Sequence, residues 1–270
     1  GACAWHGAHG MWHGLRVLAL DSTVLRMPAV PECAEHFGGM NTSCGTFRAL
    51  ARASAVLDVA RDCFVDAYLG GYDEDDRSLA QHHLSVLGAQ DLLVMDRGYP
   101  SRALLAQLDG QGVKFCARLP KSWAATKRAQ RGGCADQIGD FGMPDAPLSL
   151  RVVRHALPNG TVFVLVTNVF DPQITPANFA ALYRGRWRIE ECFKLIKARL
   201  QVENWSGVLP HTVEQDFYAS LVRANCAAAL ALEADPNHAG LHPPAPDGKG
   251  WRRALNCTRV IKSLRHALPR

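Results

Sequence analysis

The sequence predicts an α/β protein, a mixed sheet flanked by helices, on three observations. Two short apolar runs lead directly into an acid: residues 15–23 read LRVLALDST and residues 91–100 read DLLVMDRGYP. Such runs, bounded by turn residues, are consistent with buried strands. Stretches of strand character then alternate with stretches of helical period in the order β-β-β-α-β-α-β. Finally, 270 residues that are 48% hydrophobic and 20% charged can bury a sizeable core in an ordinary globular protein. No apolar run approaches the 18 or so residues of a membrane span, and no signal-peptide pattern opens the chain.

Taken in order, Leu15–Leu25, Ala53–Ala60 and Cys63–Leu69 read as early strands. A helix follows over about Arg77–Leu87, and the contiguous acids Asp73, Glu74, Asp75 and Asp76 complement its amino end. Next come the strand ending at Asp96, a helix over Ser101–Leu108 and a fifth strand over Val113–Leu119. Leu148–Leu157 and Thr161–Asn168 have strand character and are separated by a Pro158-Asn159-Gly160 turn. Pro176 marks the start of a helix expected to run to Leu200. A buried Ala/Leu-rich helix is expected over Val213–Glu233, then a Pro/Gly-rich linker over Asp235–Gly250 and a basic helix over Trp251–Ala267.

Chemistry concentrates in YRGRWRIEECFKLIK, residues 183–197. On one continuous helix Tyr183, Arg186, Glu190 and Lys197 fall within an arc of roughly 60°. Ile189, Phe193, Ile196 and Leu200 form an apolar stripe beside them that faces a core. One carboxylate flanked by an aromatic hydroxyl and two cations suits phosphodiester chemistry, in which a carboxylate holds a divalent cation and basic groups grip phosphate oxygens. The alternative is a solvated face laced with i,i+4 pairs such as Arg186–Glu190. Asp21 and Asp96 tilt the balance, because an acid at the carboxyl end of a buried strand projects into the crevice where α/β sheets place their chemistry. Two strand-end carboxylates with a helical one suit hard cations such as Mg²⁺.

These segments resemble the catalytic domain of IS4-type transposases, a branch of the DDE enzymes with a ribonuclease-H-like fold. That family's helical signature is Tyr, two residues, Arg, three residues, Glu, six residues, Lys, and the chain matches it at Tyr183, Arg186, Glu190 and Lys197. Asp21 corresponds to the first family acid, although Ser22 departs from the usual Asp-Gly-Thr while Thr23 keeps it. Asp96 corresponds to the second, together with Arg97 and Gly98. The resemblance covers about residues 12–230. It implies a ribonuclease-H-like core over 1–119 and 173–233 and a β-rich insertion over 120–172 that helps handle the DNA end, while composition makes 234–270 a linker with a basic helix. It also implies that Asp21, Asp96 and Glu190 hold two Mg²⁺ ions about 4 Å apart, with Mn²⁺ as a substitute, for in-line attack by water and then by a DNA 3′-hydroxyl. Tyr183, Arg186 and Lys197 then contact DNA phosphates. Arg97, Trp187, Lys194 and Trp123 are further candidate DNA contacts; Trp187 is the best aromatic wedge for a flipped base, ahead of Phe163 and Trp123.

Charge distribution agrees with a polyanionic partner. The net charge is only +5, yet residues 184–199 carry six cations against two acids. Lys114, Arg118, Lys121, Lys127, Arg128 and Arg131 form a second cluster around Trp123, and a third follows Lys249. Nine scattered cysteines without a CxxC pair read as reduced thiols, and His82–His83 as helix surface. The expected partners are double-stranded DNA, at transposon ends and target, and a second copy of the chain. The expected location is the bacterial cytoplasm, with nucleoid association during action. Relatives carry an amino-terminal DNA-binding region, whereas twenty residues precede Asp21, so a truncated copy or fragment is expected. Two rival functions are a nuclease of the same fold that cuts without joining, and a non-enzymatic DNA-binding remnant.

Overall fold

The computed structural model describes residues 10–131, 135–141, 148–156 and 162–234. Its elements begin with β1 (Arg16–Arg26), α1 (Pro31–Phe37), β2 (Gly39–Asn41), β3 (Phe47–Asp58), β4 (Cys63–Gly71) and α2 (Asp76–Gln81). There follow β5 (Asp91–Met95), α3 (Arg102–Gly110), β6 (Lys114–Arg118), α4 (Ala124–Gln130) and β7 (Asp136–Asp140). Last come β8 (Ser149–Ala156), β9 (Val162–Thr167), α5 (Pro176–Gly185), α6 (Trp187–Ala198) and α7 (Pro210–Ala234). Two compact units divide these: residues 10–21 with Asp75–Trp187, and Ser22–Glu74 with residues 188–234. Among the described residues no helix is long and apolar enough to cross a membrane.

In the first unit β1, β5 and β6 are neighbouring parallel strands. Val17–Leu20, Leu92–Met95 and Phe115–Ala117 are buried without a break, the pattern of strands covered on both faces. Helix α3 packs on β6, α4 on β8 and β9, and α5 on β6 and β8. The sheet continues antiparallel from β6 through β9 and β8 to β7, so the β-rich stretch before the signature adds to the same sheet. Asn168, just past β9, secures the start of β6: its Oδ1 accepts from Phe115 N (2.9 Å), and its Nδ2 donates to Val113 O (3.0 Å) and Asp109 Oδ1 (2.9 Å).

The second unit is built on antiparallel β2, β3 and β4, with a register shift between Val56 and Leu57. Asn225 of α7 bonds both backbone groups of Phe64, accepting from its N (2.7 Å) and donating to its O (2.8 Å), and so seats α7 on β4. Helix α6 buries Ile189, Phe193 and Ile196 as the stripe predicts, with the Phe193 ring 6.1 Å from that of Phe64. Leu200 is buried as well.

Several expectations change. The helix expected over 176–200 is two helices, because the hydrogen bonding tightens at Arg186, whose N donates to Tyr183 O at 3.2 Å. Gly185, a weak helix former, precedes the break, and periodicity alone does not reveal it. Tyr183, Arg186, Glu190 and Lys197 therefore do not share one uninterrupted helix. Asp21 lies within β1, which runs on to Arg26, and not at a strand end. The helix expected over 77–87 stops at Gln81, after which the chain turns and buries His83, leaving His82 at the surface. Helix α7 buries one face, and Tyr218, Val222 and Leu230 are exposed. Helices α1 and α4 and strands β2 and β7 were not anticipated. The turn at 158–160, the linker over 235–250 and the basic helix over 251–267 lie outside the described residues.

Capping agrees with the sequence. Asp75 caps α2 by accepting from Ser78 N at 2.8 Å, as the acidic run implied. Thr175 caps α5 in a capping box: Asn178 Oδ1 accepts from Thr175 N (2.8 Å) and Thr175 Oγ1 accepts from Asn178 N (3.4 Å). Replacing Thr175 by Ala should lower stability by about 1 kcal/mol, read as a fall in the urea midpoint at unchanged m-value.

Candidate active site

Strand register builds the site in the first unit. Leu20 stands opposite Met95, and Met95 opposite Ala117. The residues that follow are Asp21, Asp96 and Arg118, so two acids and a guanidinium form a row across three adjacent strands. Parallel pairing puts such neighbours about 4.8 Å apart along the hydrogen-bonding direction.

The end of α5 reaches into this row. Tyr183 OH donates to Asp96 Oδ1 at 2.7 Å, and Arg186 Nη1, one residue past the helix, donates to Asp21 Oδ2 at 2.7 Å. A spacing of three residues brings two side chains to one side of a helix, and here it matches two neighbouring strands. Rings and guanidinia stack behind the row: Arg186 lies 5.8 Å from the Tyr183 ring, Phe163 5.9 Å from Tyr183, and Arg118 5.9 Å from Phe163. Tyr183 and Arg186 are buried, whereas Asp21, Asp96 and Arg118 are half-buried.

Asp96 is held below the ordinary carboxylate range. Burial alone would raise it, but the Tyr183 hydroxyl, the Arg97 backbone N–H and the charges of Arg186 and Arg118 together outweigh that. Tyr183 shifts the opposite way, raised by burial and then by its bond to Asp96, so it stays a proton donor. Gly98 lets Asp76 approach: a Cβ there would stand 2.4 Å from Asp76 Oδ2.

The remaining candidates are placed as follows. Arg97 is exposed, and Trp187 is 59% exposed at the start of α6. Trp123 is half-buried, its ring 6.1 Å from Phe141, while Phe163 is buried. In the second unit Glu190 sits half-buried in the first turn of α6. Lys197 Nζ donates to Thr23 Oγ1 (2.6 Å) and Val24 O (2.7 Å). Burial lowers its pKa, with Arg26 adding to and Glu203 opposing the shift. Lys194 pairs with Glu191 at the surface, 2.7 Å apart. The structure thus brings Asp21, Asp96, Tyr183 and Arg186 together within one unit. Arg118 belongs with them, although its sequence context placed it only in a basic cluster. Its signal was positional, since KFCAR ends its strand at the same level as the two acids.

Two carboxylates side by side offer hard oxygen donors that fit a hard divalent cation. Among the described residues of the first unit no third His, Cys, Asp or Glu joins them to complete a ligand set.

Known proteins bear on this arrangement. The chain is 26% identical over 246 residues to the transposase InsG for insertion sequence element IS4 of Escherichia coli (strain K12), covering 82% of this chain and 54% of InsG. It is 28% identical over 111 residues to the putative transposase InsZ of the same organism, covering 40% of this chain and 37% of InsZ. The chain therefore spans about half the length of InsG, or less of InsZ. Its fold resembles that of the piggyBac transposase in a cryo-EM synaptic complex with hairpin DNA, with a TM-score of 0.58 at 8% identity over 92% of this chain and 51% of that one. That likeness supports the ribonuclease-H-like α/β fold expected from the sequence. Asp21, Asp96 and the whole motif from Tyr183 to Lys197 lie inside residues 12–226, which match the transposase DDE domain, and the chain belongs to that family.

Proposed function

We propose that this chain carries the catalytic region of an IS4-type DNA transposase, which cleaves phosphodiester bonds at transposon ends and joins the freed 3′ ends to target DNA. The observation that carries the reading is the row of Asp21, within β1, and Asp96, the first residue after the adjacent parallel β5, with Tyr183 and Arg186 bonded to them. In this reading Asp21 and Asp96 are metal ligands, and Glu190, matched residue by residue to the family signature, is the third. Bound there, Mg²⁺ supplies Lewis acidity toward a phosphate oxygen.

The chain's own groups do the rest. Tyr183 fixes the rotamer of Asp96 by its 2.7 Å bond, and the lowered pKa of Asp96 keeps that carboxylate ionised. Arg118, Arg97 and Lys197 offer cations to DNA phosphates, and exposed Trp187 offers a stacking face to a base. Double-stranded DNA and a second copy of the chain are the proposed partners.

The test is incubation of supercoiled plasmid with the protein, with and without Mg²⁺, in the presence of a labelled duplex bearing free 3′-hydroxyls. We expect Mg²⁺-dependent nicking and covalent transfer of the label to plasmid, both falling at least about 100-fold in Glu190→Gln. The floor is set by outer-shell changes at metal sites, which already cost 10–100-fold. Nicking without transfer of label would assign a nuclease. Salt-sensitive DNA binding with no nicking would assign a DNA-binding remnant.

A further inference from the structure

We propose that Arg186 is a built-in cation that holds Asp21 before a metal ion arrives and must leave it when one binds. The inference rests on the reading of Asp21 and Asp96 as metal ligands and adds an order of events to it. Tyr183 and Arg186 each hold one of the two carboxylates at 2.7 Å, yet they differ in what they bring. Tyr183 brings a neutral hydroxyl to Asp96 Oδ1, which leaves that group's negative charge in place for a cation. Arg186 brings a full positive charge to Asp21 Oδ2. A guanidinium stays protonated at any accessible pH, so it can yield Oδ2 and its share of the carboxylate charge only by moving.

Arg186 also differs from Tyr183 in its place on the helix. Arg186 is the cap residue of α5, where hydrogen bonding tightens to Tyr183 O and the helical ladder is interrupted. Tyr183, by contrast, lies within α5 with its ring packed near Phe163. One carboxylate is therefore held by an anchored neutral donor, and the neighbouring one by a cation at a helix break. The pairing also solves a problem of the metal-free protein. Two half-buried carboxylates on adjacent strands repel each other, and Arg186 offsets that repulsion until a divalent ion does so.

Calorimetric titration of the full chain with Mn²⁺, without DNA, tests this on wild type, Asp21→Asn, Arg186→Gln and Arg186→Lys. Removing the competing charge should tighten Mn²⁺ binding about tenfold in Arg186→Gln, the scale of one charge-assisted hydrogen bond. Arg186→Lys keeps the charge and should stay close to wild type. Unchanged or weaker binding in Arg186→Gln overturns the proposal. Should that variant not fold, side-chain ¹⁵N spectra of wild-type arginines decide, with the Arg186 signal identified by its absence in Arg186→Lys. We expect its N–H protons to exchange faster at saturating Mg²⁺, and protection that persists there overturns the proposal. If wild type binds no Mn²⁺, or Asp21→Asn binds it equally well, the metal-ligand reading itself fails, whatever Arg186 does.

Discussion

Asp96→Asn should lower Mn²⁺ affinity by at least about 100-fold and remove Mg²⁺-dependent cleavage, while the protein stays folded. The loss is large because the amide removes the charge that a hard cation needs, and even outer-shell changes at metal sites cost 10–100-fold. The fold survives because asparagine keeps an oxygen to accept from Tyr183 OH, which lies 2.7 Å from Asp96 Oδ1. A second signature lies in the pH dependence of stability. The folded state holds Asp96 below its unfolded pKa, so its contribution is present in full above about pH 4 and is lost as the pH falls through the lower folded value. Thermal midpoints between about pH 2 and 6 should therefore fall less steeply in Asp96→Asn than in wild type. A variant that cleaves and binds Mn²⁺ like wild type would remove Asp96 from the site.

The largest effect on stability is expected at Arg151. This β8 residue is 6% exposed and ties three segments together. Its Nε donates to Asp136 Oδ1 (2.8 Å) on β7, Nη1 to Asp171 O (2.7 Å) and Nη2 to Ile174 O (2.7 Å), both in the approach to α5. The guanidinium also lies 5.2 Å from the Phe179 ring centroid in α5. Arg151→Met leaves the half-buried Asp136 and two carbonyls without these donors, and losing hydrogen bonds to a charged group of this kind costs about 2–3 kcal/mol. Arg151→Lys should recover only part of this, since an ammonium cannot reproduce the planar fork. Denaturant unfolding measures both, with Lys194→Ala as a contrast. Its pair with Glu191 is exposed to solvent and should contribute far less than the Arg151 network. Equal effects at Arg151 and Lys194 would contradict this account of how β7, β8 and α5 are joined.

The same contrast between local and distant partners explains what could be read in advance. Strands β1, β5 and β6 were legible because their burial is continuous, and an uninterrupted apolar run closed by Asp, Gly or Pro has few other uses. The buried stripe of α6 was legible from its spacing. Helix α4 is hard to read in the sequence because it is only seven residues long and its two cations obscure the apolar period. His83 reads as helix surface in the sequence because nothing local shows that the chain turns inward after Gln81. The partner of Arg186 is hidden for a related reason: Asp21 lies 165 residues away in sequence.

By itself, the sequence determined the α/β class, the buried strands that lead to Asp21 and Asp96, and the family motif at Tyr183, Arg186, Glu190 and Lys197. Those follow from periodicity, turn chemistry and residue spacing, all local properties. Tertiary structure alone decided that Asp21, Asp96 and Arg118 share one level, that Tyr183 and Arg186 each hold a different aspartate, and that Arg151 joins β7, β8 and the approach to α5. These depend on strand register and on partners far apart along the chain, which only the folded backbone brings within hydrogen-bonding distance.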